Sequence, residues 1–246
     1  PALNFSLAKY LLDSPAHFKA AQDEEQEETD AMRVGTIAHS MILEGKGFTD
    51  LYAIKPAGMS FATNEGKLWK AQQTLPIITA ADADGIPRMA EAIANNPAAA
   101  RLLKSLPHRE TPMFATVMGV ECKCLLDSHG EDEWAGWSIA DLKTAADASP
   151  RAFGRVVCDR HYDLQQALYR TILSLTLKLE NPPFWAWIVA EKKAPFYNQV
   201  YTGEEFEDSG MEKLEKVLTL YKRCKEEDHW PFALTGVHRL PKPSWA

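Results

Sequence analysis

Cysteine is scarce in this 246-residue sequence: Cys122, Cys124, Cys158 and Cys224 are the four thiols, and none are spaced as C-x-x-C. That excludes a scaffold built on a disulfide framework. Long hydrophobic runs are also missing. None approaches the roughly 20 residues needed to span a bilayer, and no basic-plus-apolar leader opens the chain. No membrane partner is expected, and a cytoplasmic location is. The first residue is Pro1 rather than methionine, which points to a segment of a longer protein. There is no internal repeat and no low-complexity linker. Positive charge is in short supply: 27 Lys and Arg stand against 34 Asp and Glu, a net charge of −7. A protein that coats nucleic acid by bulk electrostatics is therefore excluded. An enzyme acting on nucleic acid is not, because much of the excess sits in the run Asp23 to Asp30, DEEQEETD, expected as a solvated loop.

What is present is the composition of an ordinary globular chain, 46 % hydrophobic and 25 % charged, long enough to bury a full core. A single domain over 1–246 is expected, mainly helical over 1–108 and built of a sheet with flanking helices over 109–246. Short helices are expected over Ser6–Asp13, interrupted by Ser14-Pro15, and over Ala16–Ala21. A longer one follows over Ala31–Glu44, with Val34, Ile37, Ala38, Met41 and Ile42 forming one apolar stripe. Thr79 and Asp82 open an alanine-rich helical region that Pro87 and Asn95-Asn96-Pro97 are expected to divide. Glu110–Val117 reads as a strand joined through Met118-Gly119 to the next. Ser149-Pro150 starts a helix, Tyr162–Leu179 is a long one, Phe184–Glu191 and Pro195–Thr202 are strands, and a helix ends near Glu227. Trp230 and Trp245 follow, with packing favoured over base stacking.

The chemistry concentrates in Val120 to Thr144, VECKCLLDSHGEDEWAGWSIADLKT. Val120, Cys122, Cys124 and Leu126 alternate with Glu121, Lys123, Leu125 and Asp127, as a half-buried strand requires. Ile139, Asp141 and Lys143 share a face in the second run. With Ser128 to Ala135 as the turn between them, Asp127 would lie beside Asp141 and Lys143. Two carboxylates with open positions suit Mg²⁺, which takes its remaining ligands from water and substrate phosphate. Lys143 could then orient water or neutralise charge at phosphorus, so the implied reaction is phosphodiester hydrolysis. A bland reading competes, since Asp and Lys two apart on a strand end are often a solvated pair, and Glu131 and Asp132 rival Asp127 as the first carboxylate.

Other residues join by position. His39 falls roughly 130° from the centre of its helix's apolar stripe, one turn after Gly35, whose retention in a helix suggests a close approach. Gln165 and Tyr169 share a helix face. Arg151, Arg155, Arg160 and Arg170 collect downstream of Asp141, where phosphate contact and plain solvent-facing charge are equally good readings.

In order, G-x-x-x-H (Gly35 to His39), K-x-x-x-D (Lys123 to Asp127), D-L-K-T (Asp141 to Thr144) and Q-x-x-x-Y (Gln165 to Tyr169) resemble the motifs of the PD-(D/E)xK nuclease superfamily, in its RecE-type exonuclease (exonuclease VIII) branch. SLAKYLLDSPAHFKA near the start and HRLPKPSWA at the end also look like that branch. Cys124-Leu125-Leu126 depart from the arginine and proline often found between the lysine and aspartate. The resemblance implies an α/β, restriction-endonuclease-like fold: a central mixed sheet flanked by helices, with a helical N-terminal portion. It implies that His39, Asp127, Asp141 and the Leu142 carbonyl bind Mg²⁺, with Mn²⁺ able to substitute, that Glu110 reaches the metal through water, and that Gln165 and Tyr169 support substrate. Lys67 and Lys70 would lie near the DNA. The activity implied is 5′-to-3′ degradation of linear double-stranded DNA, leaving 3′ tails for a single-strand annealing recombination protein, by a ring-shaped homo-oligomer. The cysteine group that holds an iron–sulfur cluster in some relatives is absent, so no cluster is expected. The rivals are a RecB- or Cas4-like nuclease or endonuclease of other polarity, and a non-catalytic DNA-binding domain of the same fold.

Overall fold

The computed structural model describes residues 2–24, 29–45, 51–232, 237, 239–240 and 242. Trp245 and the middle of the acidic stretch, 25–28, lie outside the described residues.

Five strands form the central sheet in sequence order: β3 (His108–Val117), β4 (Val120–Asp132), β5 (Gly136–Ala145), β6 (Phe184–Glu191) and β7 (Asn198–Thr202). All neighbours are antiparallel except β5 and β6, which run parallel. A parallel pair needs a long crossover, and α7 (Pro150–Asp159) and α8 (Tyr162–Leu177) supply it. The sheet is mixed and flanked by helices, an α/β architecture of the restriction-endonuclease-like kind. Two short parallel strands, β1 (Ala53–Ile54) and β2 (Ile77–Ile78), pair separately.

Each face of the sheet has its own core. On one, Cys122, Cys124, Leu126, Ile139, Trp185, Trp187 and Val189 meet Leu164, Leu168 and Ile172 of α8 and Leu214, Val217 and Leu218 of α9 (Glu207–Glu227). On the other, Ala140, Leu142, Ala186, Ile188 and Ala190 meet Val34, Ile37 and Ala38 of α3 (Asp30–Glu44), Ile86, Met89 and Ile93 of α5 (Ala80–Ala94), and Leu102 of α6 (Pro97–Ser105). Burial on both faces explains the near-continuous apolar run of β6. The buried thiols are held protonated, as burial pushes Cys122 up to about 11 and Cys124 up to about 12. Among the described residues no helix is long and apolar enough to cross a membrane.

Local sequence sets the helix ends. Ser14 accepts from the His17 amide and Pro15 occupies the first position of α2 (Pro15–Asp23). Thr29 accepts from the Met32 amide at the start of α3, whose end is Gly45 at φ 63°. Thr79 and Asp82 form a complete capping box on α5, and Asn96 with Pro97 opens α6. The first helical stretch is shorter than expected: α1 covers Phe5–Ala8 and a 3₁₀ turn covers Lys9–Leu12.

Three expectations need correction. Pro87 does not divide the alanine-rich region: α5 runs through it. A proline inside a helix costs about 3 kcal/mol, and here burial of Ile86, Met89 and Ile93 outweighs that cost. The β7 strand begins at Asn198, not Pro195. Most consequentially, β4 does not end at Asp127 but continues to Asp132. Ser128, His129 and Gly130 have turn-like composition, yet all three are buried. Ser128 Oγ donates to the Leu106 carbonyl at 2.9 Å, and a Cβ on Gly130 would lie 2.8 Å from Pro107 Cδ and 3.1 Å from Leu106 Cα. The turn is confined to 133–135, where Asp132 Oδ1 accepts from the amides of Trp134 and Ala135 and Oδ2 from Arg101 at 2.8 Å. Asp132, the last residue of β4, therefore serves to cap the turn.

Two outcomes follow. Gly130→Ala should cost about 1–3 kcal/mol through overpacking against the end of α6, read as a lower melting temperature. His129 is buried, its ring nitrogens without a hydrogen-bond partner among the described residues, and stacks 4.9 Å from His108. Burial, helped by His108, lowers its pKa from 6.5 to about 4. Between those values the unfolded chain binds a proton that the folded chain refuses, so this stability is complete above pH 6.5 and is lost as pH falls. His129→Phe should reduce the difference between melts at about pH 7 and about pH 5 by on the order of 1–2 kcal/mol.

Candidate metal-dependent active site

Asp127 sits where strand pairing lapses. The β3–β4 ladder pairs Arg109 with Ser128 and Thr111 with Leu126 but passes over the couple between them. The β4–β5 ladder starts at Ser128–Ala140, so one further step along the register places Asp127 alongside Asp141. There the Leu142 amide donates to Asp127 Oδ2 at 2.7 Å. Opposite, Glu110 takes a left-handed backbone at φ 42°, a conformation uncommon outside glycine and costly enough to mark a site. Helix α3 crosses this gap and lowers His39 into it. His39 Nδ1 lies 3.5 Å from Asp127 Oδ2 and 3.9 Å from Glu110 Oε1. Donor atoms of His39, Glu110 and Asp127 all lie within 4.8 Å of one another.

Asp141 and Lys143 form the deeper half. Lys143 Nζ is 2.5 Å from Asp141 Oδ2, and the Asp141 side chain is 2 % exposed. Gln165 Nε2 donates to Asp141 Oδ1 at 3.0 Å. Burial pushes the Asp141 carboxyl up to about 6, against the opposing pull of Lys143 and with a further push from Asp127. Burial alone would lower Lys143, but Asp141, Tyr162 and Asp127 together hold its pKa above the usual lysine value. Lys143 is therefore a fixed cation, its ammonium 4.7 Å from the centre of the Tyr162 ring. Tyr169 packs edge-on to Trp185 at 6.2 Å, and burial followed by Asp141 raises its phenol. Gln165 and Tyr169 do share a face of α8, and that face is turned on Asp141.

A cleft of about 770 Å³ opens beside these groups, and His39 and Lys143 reach its wall; the wall also includes Thr29 at the cap of α3, Met32 and Gly35 of that helix, Thr144–Asp147, Arg160, Tyr162 and Lys192, whereas Glu110, Asp127 and Asp141 are set back from it. Gly35 is not needed for packing: a Cβ there would meet Thr144 Oγ1 at an ordinary 3.6 Å. Its neighbour on the open side is the cleft. Of the arginines singled out from sequence, Arg160 lines the cleft, whereas Arg151 and Arg155 are exposed on α7, each one residue before a residue of the cleft wall. Arg170 is committed elsewhere, donating to the Pro183 carbonyl and pairing with Glu207, each at 2.6 Å. Lys67 is exposed on α4 (Asn64–Ala71). Of Leu142, the contact seen is made by the amide, to Asp127, rather than by the carbonyl.

The residues fit a hard divalent cation. Two donors each about 2.1 Å from Mg²⁺ stand about 3–4.2 Å apart, and the two His39 separations of 3.5 and 3.9 Å lie in that range. One imidazole and two carboxylates are an acceptable donor set for such an ion. Beside them Gln165 Oε1 is buried without a hydrogen-bond partner among the described residues. Glu110, on the edge strand β3, brings its carboxylate into this group. Its left-handed backbone carries no sequence signal, so only the family resemblance pointed to Glu110 at the metal. Tyr162 and Lys192 were not identified, since their role comes only from what the crossover brings beside β5.

No curated protein matches the chain in sequence. Among solved structures, a candidate exonuclease from Eubacterium rectale superposes with a TM-score of 0.62 at 13 % identity, covering 98 % of this chain and 90 % of that one. A protein described as SSO0001 reaches a TM-score of 0.33 at 13 % identity over 88 % and 84 % of the two chains, and carries no argument. The first shares the fold. Residues 4–236 match the family described as "PDDEXK-like domain of unknown function (DUF3799)", and over that span, which includes His39, Glu110, Asp127, Asp141 and Lys143, the chain belongs to this family and so to the PD-(D/E)xK superfamily.

Proposed function

We propose that this protein is a Mg²⁺-dependent exodeoxyribonuclease that degrades linear double-stranded DNA from 5′ ends. The observation that carries the phosphodiesterase part is the convergence of His39, Glu110 and Asp127 within 4.8 Å, next to the Asp141–Lys143 pair at 2.5 Å, with His39 and Lys143 reaching the wall of one open cleft. The 5′-to-3′ direction, the 3′ single-stranded product, its delivery to a strand-annealing recombination protein and a ring-shaped oligomer rest on the sequence resemblance to the RecE-type branch.

His39, Glu110, Asp127 and Asp141 would hold the metal. When bound, it supplies a lowered water pKa and charge stabilisation at a phosphoryl oxygen. The chain's own groups do the rest. Lys143, held charged beside Asp141, presents a donor to the attacking water or to the oxygens gaining charge, and its fixed position means no reorganisation at the moment of reaction. Gln165 fixes the Asp141 carboxylate through its amide. Arg160 and Lys192, on the cleft wall, neutralise phosphates on either side of the scissile bond. A net charge of −7 is compatible with this, because much of the acidic excess sits in the run Asp23 to Asp30 and further acids belong to the metal site itself.

Incubation with linear duplexes 5′-labelled on one strand or the other should show nucleotide release that requires Mg²⁺ or Mn²⁺, is abolished by chelator, and spares closed circles. Release from 3′ ends, or nicking of circles, would refute the assigned polarity or the exonuclease reading; inactivity of the parent chain under all divalent ions would favour a DNA-binding role. Asp127→Asn and Lys143→Gln should each lower the rate about 10²–10³-fold or more, with far-UV circular dichroism unchanged. Arg160→Ala should raise KM several-fold while moving kcat little, since it removes binding made equally in ground and transition states; Arg151→Ala, exposed on α7 and not part of the cleft wall, should do neither.

A further inference from the structure

A second cavity, of about 570 Å³, opens on the neighbouring flank of α3, where Arg33, Lys55, Phe61 and Lys70 face Asp82. Its chemistry differs from that of the catalytic cleft. Three cations stand against one carboxylate, and that carboxylate is occupied: Asp82 Oδ2 accepts from the Thr79 hydroxyl at 2.6 Å and the Thr79 amide at 3.3 Å. Arg33 Nη1 donates to the Ile77 carbonyl at 3.0 Å, tying β2 to α3. Lys55 and Lys70 have a different neighbour. Their ammonium groups lie 4.6 and 5.5 Å from the centre of the Phe61 ring, and among the described residues neither forms an ion pair. Phe61 in turn stacks on Trp69, with centroids 6.3 Å apart and planes 14° from parallel.

A half-buried aromatic platform edged by two lysines is the arrangement that binds a single strand: bases stack on the rings and phosphates meet the ammonium groups. A duplex would not suit it, because paired bases keep their faces covered. We propose that this cavity is a nucleotide-binding subsite for single-stranded DNA, with Phe61, backed by Trp69, as the stacking surface and Lys55 and Lys70 as the phosphate contacts. It rests on the nuclease reading only for the class of polymer. The position supports continuity between the two sites. Arg33 and Val34 of α3 line this cavity while Met32, Gly35 and His39 line the cleft, and Lys192 of the cleft feels the charge of Asp82 in the cavity. One strand can therefore lie across both.

The test separates the subsite from catalysis by working first in EDTA, where no hydrolysis occurs. Fluorescence anisotropy of labelled oligothymidylate should show binding to the full chain. Lys55→Glu with Lys70→Glu should weaken it about tenfold or more and flatten its salt dependence, and Phe61→Leu should weaken it several-fold while leaving the melting temperature within a few degrees. Lys70→Glu alone, on an exposed helix face, serves if the double variant does not fold. Thymidine monophosphate should compete only at far higher concentration; competition at equal concentration would assign the cavity to free nucleotide instead and overturn the strand proposal. Unchanged affinity in the charge-reversed variants, or no binding by the parent chain, would also overturn it. With Mg²⁺ restored, the same variants should raise KM on DNA without lowering kcat. A parent that binds the strand but hydrolyses nothing would refute the catalytic reading and leave this site standing.

Discussion

The buried pair between Asp141 and Lys143 is the constraint on which the site depends. Removing one partner of such a pair costs about 3–5 kcal/mol, because a charge is left stranded out of water. The pair lies on β5 two residues apart, on a face otherwise covered by α8, so it is tolerable only if the surroundings complete it. Gln165 bonds the remaining Asp141 oxygen, and the Tyr162 ring lies beside the ammonium. Ion pair, helix face and crossover are thus mutually dependent: α8 must pack against β5 in one register for the pair to be satisfied at all.

Above that pair the opposite problem arises. Glu110 and Asp127 bring carboxylates together beside Asp141, and like charges at short range repel. The fold accepts this by interrupting its own ladder at Asp127 and by placing Glu110 in a backbone conformation that few residues adopt. An arrangement unfavourable to the empty protein is what a divalent cation would relieve. Function and local instability therefore coincide at one point of an otherwise regular sheet. Helix α3 ties this point to the rest, since one face carries His39 into the gap and the adjacent face carries Arg33 to the lysine-lined cavity.

How far the chain could be read in advance followed from the range of the forces involved. Alternation of Val120, Cys122, Cys124 and Leu126 identified a strand because each buried side chain answers to the pleat alone. The D-x-K spacing placed Asp141 and Lys143 on one face for the same reason. Asn96-Pro97 ended one helix and began another through local hydrogen bonds. The failures were non-local. Pro87 was read as a break, but three buried side chains hold α5 together. Ser128 to Ala135 were read as a turn, but Ser128 and Gly130 belong to the strand, where their small size serves close packing against Leu106 and Pro107. Among Arg151, Arg155 and Arg160, alike as charges in sequence, it is packing that puts Arg160, just past the end of α7, in the cleft wall.

By itself the sequence determined the alternation of the strands, the caps of the helices and the set of acids, histidine and lysine available for chemistry, because these depend on residues a few positions apart. Only the tertiary structure decided that Glu110 joins His39 and Asp127, that Gln165 serves Asp141, and that Phe61, Lys55 and Lys70 share a cavity. Those meetings are made by strand register and helix packing across tens of residues. The free energy that fixes them belongs to the whole core and not to any stretch of the chain.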